Sequence, residues 1–166
     1  MAAVIQRRVS GRMDGDFAVF LIGMRVNRWW LPHKWMRVAF AMSKMLRELS
    51  LHRELGFLGG ESWFGRTTVL VTYWQSMDHL MGYAKSRTAA HLPAWRSFNR
   101  HVGTNGDVGI WHETYRVRAG DYESIYVNMM PFGLGKAGTI VEASGPRETA
   151  QGRLAVEFVA QSRISS

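Results

Sequence analysis

An α+β domain with the order β-α-β-β-α-β is what this 166-residue sequence predicts. Three observations carry the prediction. Apolar, β-branched runs alternate with segments whose apolar residues recur at helical spacing. Glycine, proline and serine punctuate the joins. The composition, 46% hydrophobic, 20% charged and 12% aromatic, is that of a single folded domain and not of a disordered chain.

The elements follow in order. Phe17–Asn27 is apolar and β-branched between Gly15-Asp16 and Arg28-Trp29-Trp30, and reads as a strand buried on both faces. Pro32 suits a helix start, where its missing N–H costs nothing. From His33 to Leu55, Trp35, Val38, Met42, Met45, Leu46 and Leu49 recur at helical spacing, and Gly56 is the natural stop. Phe57–Phe64 reads as a glycine-interrupted strand, Gly65-Arg66 as a tight turn, and Thr67–Gln75 as the clearest strand. Ser76 is an N-cap for a short helix over Met77–Lys85. Pro93 then opens a further helix, on which His91, Trp95, Phe98 and Val102 form one stripe. Val108–Val117 is a strand and Gly120–Asn128 another; Met129–Gly138 reads as a glycine-rich loop, and residues 146–166 carry weak signals. This is the split βαβ, ferredoxin-like arrangement with a C-terminal extension. Its helices cover one sheet face, and the bare face predicts a second copy of the sheet, hence a homodimer.

Composition removes several function classes. With no cysteine, disulfides, Cys-ligated zinc, Fe–S clusters and Cys nucleophiles are excluded. The net charge of +8 raises nucleic acid or acidic lipid as partners, but the basic residues are dispersed and no nucleic-acid-binding signature occurs. The expectation is therefore a solvated basic surface, with neither nucleic acid nor membrane as partner. No apolar run reaches the ~18 residues of a membrane span. Met1–Arg12 has basic residues without an apolar centre, unlike a secretory signal. A cytoplasmic location is expected. There is no phosphate loop, nucleophile elbow, HExxH or dinucleotide fingerprint.

Seven tryptophans and ten methionines call for a generous core, a pocket or a subunit interface. His91 shares its stripe with Trp95 and Phe98. It is an iron ligand or a base, or else a histidine bonded to a backbone carbonyl before Pro93. Arg25 inside an apolar strand needs a partner: a substrate oxygen, or Glu113 or Glu123 across the sheet. His112 and Glu113 are strand neighbours, so they point to opposite faces and form no simple pair. Ile110, His112 and Thr114 share one face; Trp111, Glu113 and Tyr115 share the other. One set is expected toward the helices, the other toward the dimer interface. Tyr122, Tyr126 and Asn128, with Trp74 and Tyr73, make an aromatic pocket or plain core. His33 lines a pocket entrance or caps the surface. Asn128–Gly135 is a lid or a rigid arm on a partner subunit. The expected cavity lies between sheet and helices, lined by Arg25, Asn27, Tyr83, His91, Trp95 and Tyr126.

Tyr73-Trp74-Gln75-Ser76 with His79-Leu80, Tyr83-Ala84 and His91 resembles the antibiotic-biosynthesis monooxygenase superfamily. Phe20–Asn27, His33-Lys-Trp35, His91–Trp95, Phe98-Asn99-Arg100, Val108–Tyr115, Tyr122–Tyr126 and Asn128–Gly135 resemble a monooxygenase-like family that includes a fumagillin-pathway enzyme. The resemblance runs over residues 14–145 and leaves 146–166 as a tail. It implies a dimeric α+β barrel and an oxidoreductase, an oxygenase acting on a small hydrophobic compound, either cofactor-free or haem-dependent. A non-catalytic haem- or ligand-binding protein is the alternative. In the cofactor-free form His91 is the base, and Arg25 and Asn27 stabilise negative charge. In the haem form His91 is the axial ligand. Tyr83, Trp95, Trp74, Tyr126 and His33 surround the substrate or cofactor. Haem-degrading members place a tryptophan where this chain has Tyr83, and Met24 lies nearer than Asn27 to their asparagine. The resemblance therefore admits haem binding and does not extend to haem degradation.

Overall fold

The computed structural model describes residues 3–86 and 105–155. The chain opens with a strand, β1 (Ile5–Arg12), then β2 (Phe17–Val26), helix α1 (Pro32–Leu51), β3 (Phe57–Trp63), β4 (Val69–Trp74), α2 (Met77–Lys85) and β5 (Val108–Val117). The short elements β6 (Tyr126–Met129), α3 (Gly133–Ala137) and β7 (Thr139–Glu142) follow. The expected helix around His91–Val102 lies outside the described residues.

β2 to β5 form a four-stranded antiparallel sheet in the order β3-β4-β2-β5. That is the ferredoxin-like order: the first strand of the β-α-β-β-α-β run sits centrally, between the third and the last. β2 pairs along its whole length with β5, from Phe17 opposite Val117 to Val26 opposite Val108. On its other side, Ala18 to Ile22 face Trp74 to Leu70 of β4. Alternation along these strands sends Ala18, Phe20, Ile22, Leu70, Thr72, Trp74, Ile110, His112 and Thr114 to the helix side.

The helices start and stop where their chemistry dictates. Pro32 occupies the first turn of α1, and Val38, Met45 and Leu49 on its inner stripe are buried. A single 3-10 turn over Arg53–Leu55 ends at Gly56 with φ of +81°. A β-carbon there would stand 2.4 Å from the His79 ring, so both backbone and space demand glycine. Ser76 caps α2 by accepting the His79 backbone N–H at 3.3 Å. The inner stripes of both helices close on Ala18 and Trp74, with Leu49, Leu80 and Tyr83 completing the cluster.

The opposite sheet face is not wholly bare. A second sheet, in the order β6-β1-β7, is built from the two ends of the described chain. Leu134 of α3 packs with Met13 and Phe17, against which Val19, Tyr73 and Val117 also pack. The chain thus covers one end of the outer face itself. The remainder presents Leu21, Gly23, Arg25, Trp111, Glu113 and Tyr115.

Three expectations change here. Residues 5–12 form the central strand of the second sheet, although their many arginines gave no strand pattern. Gly120–Asn128 yields strand only from Tyr126; before it, side chains replace the ladder. The Tyr122 hydroxyl accepts the Met13 N–H at 2.7 Å, and the Ser124 hydroxyl accepts the Gly11 N–H at 2.9 Å. Within the expected Met129–Gly138 loop, Gly133–Ala137 is a helical turn.

Candidate active site

An apolar cavity of about 350 Å³ lies between the helix-side face of the sheet and the two helices. Phe20, Ile22, Leu70 and Ile110 supply its sheet wall, Met45, Leu46 and Leu49 its α1 wall, and Leu80, Met81, Tyr83 and Ala84 its α2 wall. Its size is that of a site for a small organic molecule. At its base, Trp74 is buried, with Phe57 edge-on at 5.7 Å and Tyr83 tilted at 5.5 Å.

Few polar groups reach this chamber, and most are committed. Thr72 donates to the Phe20 carbonyl at 2.8 Å and accepts from the Trp74 indole N–H at 3.0 Å. The Tyr83 hydroxyl donates to Glu48 at 2.9 Å. Burial, then the neighbouring Glu48 carboxylate, holds this phenol well above its ordinary range, so it stays protonated and acts as a donor. His112 differs. Its ring lines the cavity beside Phe20, centroids 5.8 Å apart, and no protein group among the described residues hydrogen-bonds to it. Both His112 and Thr114 are exposed, so they sit toward the open side. An imidazole facing an otherwise apolar chamber can take a proton from a bound molecule.

The sequence-predicted residues divide. Trp74 and Tyr83 line the cavity as expected. Arg25 lies on the outer face and donates to the Thr67 hydroxyl at 2.8 Å. Strand alternation puts it opposite Met24, the residue that does face the helices. Its suggested partners are engaged elsewhere: Glu113 accepts from the Tyr115 hydroxyl and Glu123 pairs with Arg153 at 2.7 Å. Asn27 follows β2 and donates to the Gly106 carbonyl at 3.1 Å, bracing the entry to β5. Tyr126 belongs to the second sheet, where its hydroxyl accepts the Gly135 N–H at 3.1 Å. His33 is exposed on the first turn of α1. The expected lining set is therefore not brought together: Arg25, Asn27, Tyr126 and His33 stand outside this cavity. His91 and Trp95 lie outside the described residues.

His112 is a cavity residue outside the sequence-predicted set. Its signal was present in the alternation that sets Ile110, His112 and Thr114 on one face; only the choice of which face meets the helices was open.

Among the described residues no three His, Asp or Glu side chains gather as a metal site. Haem requires an axial donor. The described walls supply an imidazole and apolar rings, but no lysine or arginine.

The sequence profile of the Monooxygenase af470-like family matches residues 17–134. Monooxygenase af470 of Aspergillus fumigatus is 31% identical over 159 aligned residues, covering 82% of this chain and 56% of that protein. An aldoxime dehydratase structure superposes with a TM-score of 0.66 at 17% identity, covering 86% of this chain and 45% of that one. The aldoxime dehydratase OxdRE, in complex with butyraldoxime, gives 0.63 at 17% identity, covering 79% and 40%. These structural likenesses are of fold. The chain spans about half the length of the relatives it matches.

Proposed function

The chain belongs to the monooxygenase af470-like family, and on that premise we propose that it is an oxygenase-type enzyme acting on a small hydrophobic compound held between sheet and helices. The observation that carries the reading is the apolar cavity with the His112 imidazole on its wall, free of hydrogen-bond partners among the described residues. A neutral, flat substrate fits the aromatic base formed by Trp74, Tyr83 and Phe20.

The chemistry that suits these walls needs no resident cofactor. His112 removes a proton from a CH₂ group acidified by its neighbours. The resulting carbanion supplies electrons to O₂, and the balanced outcome is CH₂ plus O₂ giving C=O plus H₂O. The apolar walls raise the carbanion's energy in water-poor surroundings and favour its reaction with O₂. Tyr83, held protonated, donates its hydroxyl hydrogen to Glu48 and contributes its ring to the aromatic base. His91, from outside the described residues, stays a second proposed base. Arg25 and Asn27 enter this scheme only through the framework they brace.

Anthrone, whose central CH₂ is acidified in this way, is a suitable probe. Purified protein in chelator-treated buffer should consume O₂ faster than buffer alone and release the corresponding quinone. Uptake equal to the buffer rate across anthrone and related activated compounds would sink the reading and leave a binding protein.

The uncovered part of the outer sheet face, with Leu21, Trp111 and Tyr115, supports a homodimer through that face. The covering supplied by α3 and the second sheet restricts the contact to the uncovered middle of that face, around Leu21, Trp111 and Tyr115.

A further inference from the structure

Basic residues dispersed along the sequence converge at one end of the fold. β2 ends at Val26, whose N–H donates to the Arg66 carbonyl at 2.8 Å. The N–H groups of Asn27 and Arg28 donate to the Asp107 carbonyl at 3.1 and 3.2 Å. The turns 27–31, 64–68 and 105–107 are thereby stitched into one end of the sheet, beside the first turns of α1. Arg25, Arg28, Arg37 and Arg66 are exposed there. The carboxylate at their centre, Asp107, is 1% exposed and already bound by Arg28 and Lys34. No exposed carboxylate occurs in those three turns.

The same end carries large aromatic rings in water. Phe64 is 84% exposed, Trp29 71%, Trp30 59%, and Phe40 on α1 67%. The two tryptophans are held in place. Trp29 and Trp30 stand edge-on with centroids 6.1 Å apart, and the Trp29 carbonyl accepts the Trp35 indole N–H at 3.2 Å. Exposed rings of this size are costly to keep in water unless something covers them. Tryptophan and phenylalanine at loop tips stand beside Arg25, Arg37 and Arg66, which pair with no carboxylate among the described residues, and beside Arg28, which Asp107 already pairs. Such a set complements a surface that is apolar beneath and negative above. That is the interface of an anionic bilayer.

We propose that this end of the molecule docks on anionic phospholipid membranes, with Trp29, Trp30 and Phe64 entering the interface and the arginines meeting the headgroups. Binding is peripheral; no helix among the described residues is long and apolar enough to cross a membrane. The inference is independent of the oxygenase reading. It revises the expectation of no membrane partner, which rested on the absence of a basic run in the sequence.

The test is flotation of the full chain with vesicles of phosphatidylcholine alone and of phosphatidylcholine with phosphatidylserine. The expected result is at least about tenfold tighter binding to the anionic vesicles, weakening as salt is added. A variant with Trp29→Ser, Trp30→Ser and Phe64→Ser should lose at least about tenfold in affinity, with circular dichroism unchanged. If that variant fails to fold, Phe64→Ser alone, at an exposed turn, decides by a several-fold loss. Absent binding, equal binding to neutral vesicles, or unchanged binding by the variants would overturn the proposal. So would a change of molecular mass on removing the rings, which would make this end a protein interface.

Discussion

Asp107 ties the start of β5 to the start of α1, because Arg28 and Lys34 reach its two oxygens from the other side of the β2–α1 turn. The hydrogen bond from Lys34 comes first among the causes that hold its carboxyl below the ordinary range, against the opposing effect of burial; the charges of Lys34 and Arg28 add to it. A carboxylate whose folded value is lowered stabilises the fold above its unfolded value of about 3.9 and loses that contribution as pH falls through the folded value. Asp107→Asn should therefore lower Tm near neutrality, and the gap to wild type should narrow as pH drops below about 4. A gap independent of pH would contradict the assignment. Gly23 makes a second residue-scale claim. A β-carbon there would meet the Thr68 carbonyl at 2.0 Å and the Trp111 indole at 2.6 Å. Gly23→Ala should cost about 1–3 kcal/mol or more, read from denaturant midpoints.

Among the elements, α2 and β1 show where sequence patterning works and where it stops. α2 was legible from Ser76, whose hydroxyl supplies the cap, and Ser76→Ala should cost about 1 kcal/mol in equilibrium unfolding. The core strands and α1 were legible because burial on one or both faces imposes a period on Val, Ile, Leu and Met. β1 was not. Its sequence, Ile5-Gln-Arg-Arg-Val-Ser-Gly-Arg12, carries three arginines and only two aliphatics, and its burial is confined to Val9, Ser10 and Gly11. What fixes it is backbone pairing on both sides, which no side-chain pattern records. Deleting residues 1–12 should therefore remove the central strand of the second sheet and expose Leu134 and Phe17. A substantial fall in Tm is expected; a truncated chain melting with the full one would contradict that role. The site was partly legible for the same reason. Trp74 and Tyr83 line the cavity, whereas Arg25 and Tyr126 stand outside it. Alternation says which residues share a face, but not which face the chain's own ends will cover.

At the scale of the whole molecule, the C-terminal elements and β1 take over part of the covering expected of a second subunit, and the proposed dimer would use the rest of the outer face. Light scattering at micromolar concentration should give twice the chain mass, with an interface above about 1,200 Å² in total; a monomer would restrict the barrel to what one chain builds. Hemin titration separates the two oxygenase forms: a saturable Soret change lost in His91→Ala would favour haem, and its absence the cofactor-free form. We propose that the cavity between sheet and helices is the reaction chamber, with His112 as the base on its wall. Its most direct test compares O₂ uptake with anthrone by wild type and His112→Ala, with thermal melts alongside. A fall of about 10²-fold in turnover with an unchanged Tm is expected. Equal turnover by the two proteins would contradict it.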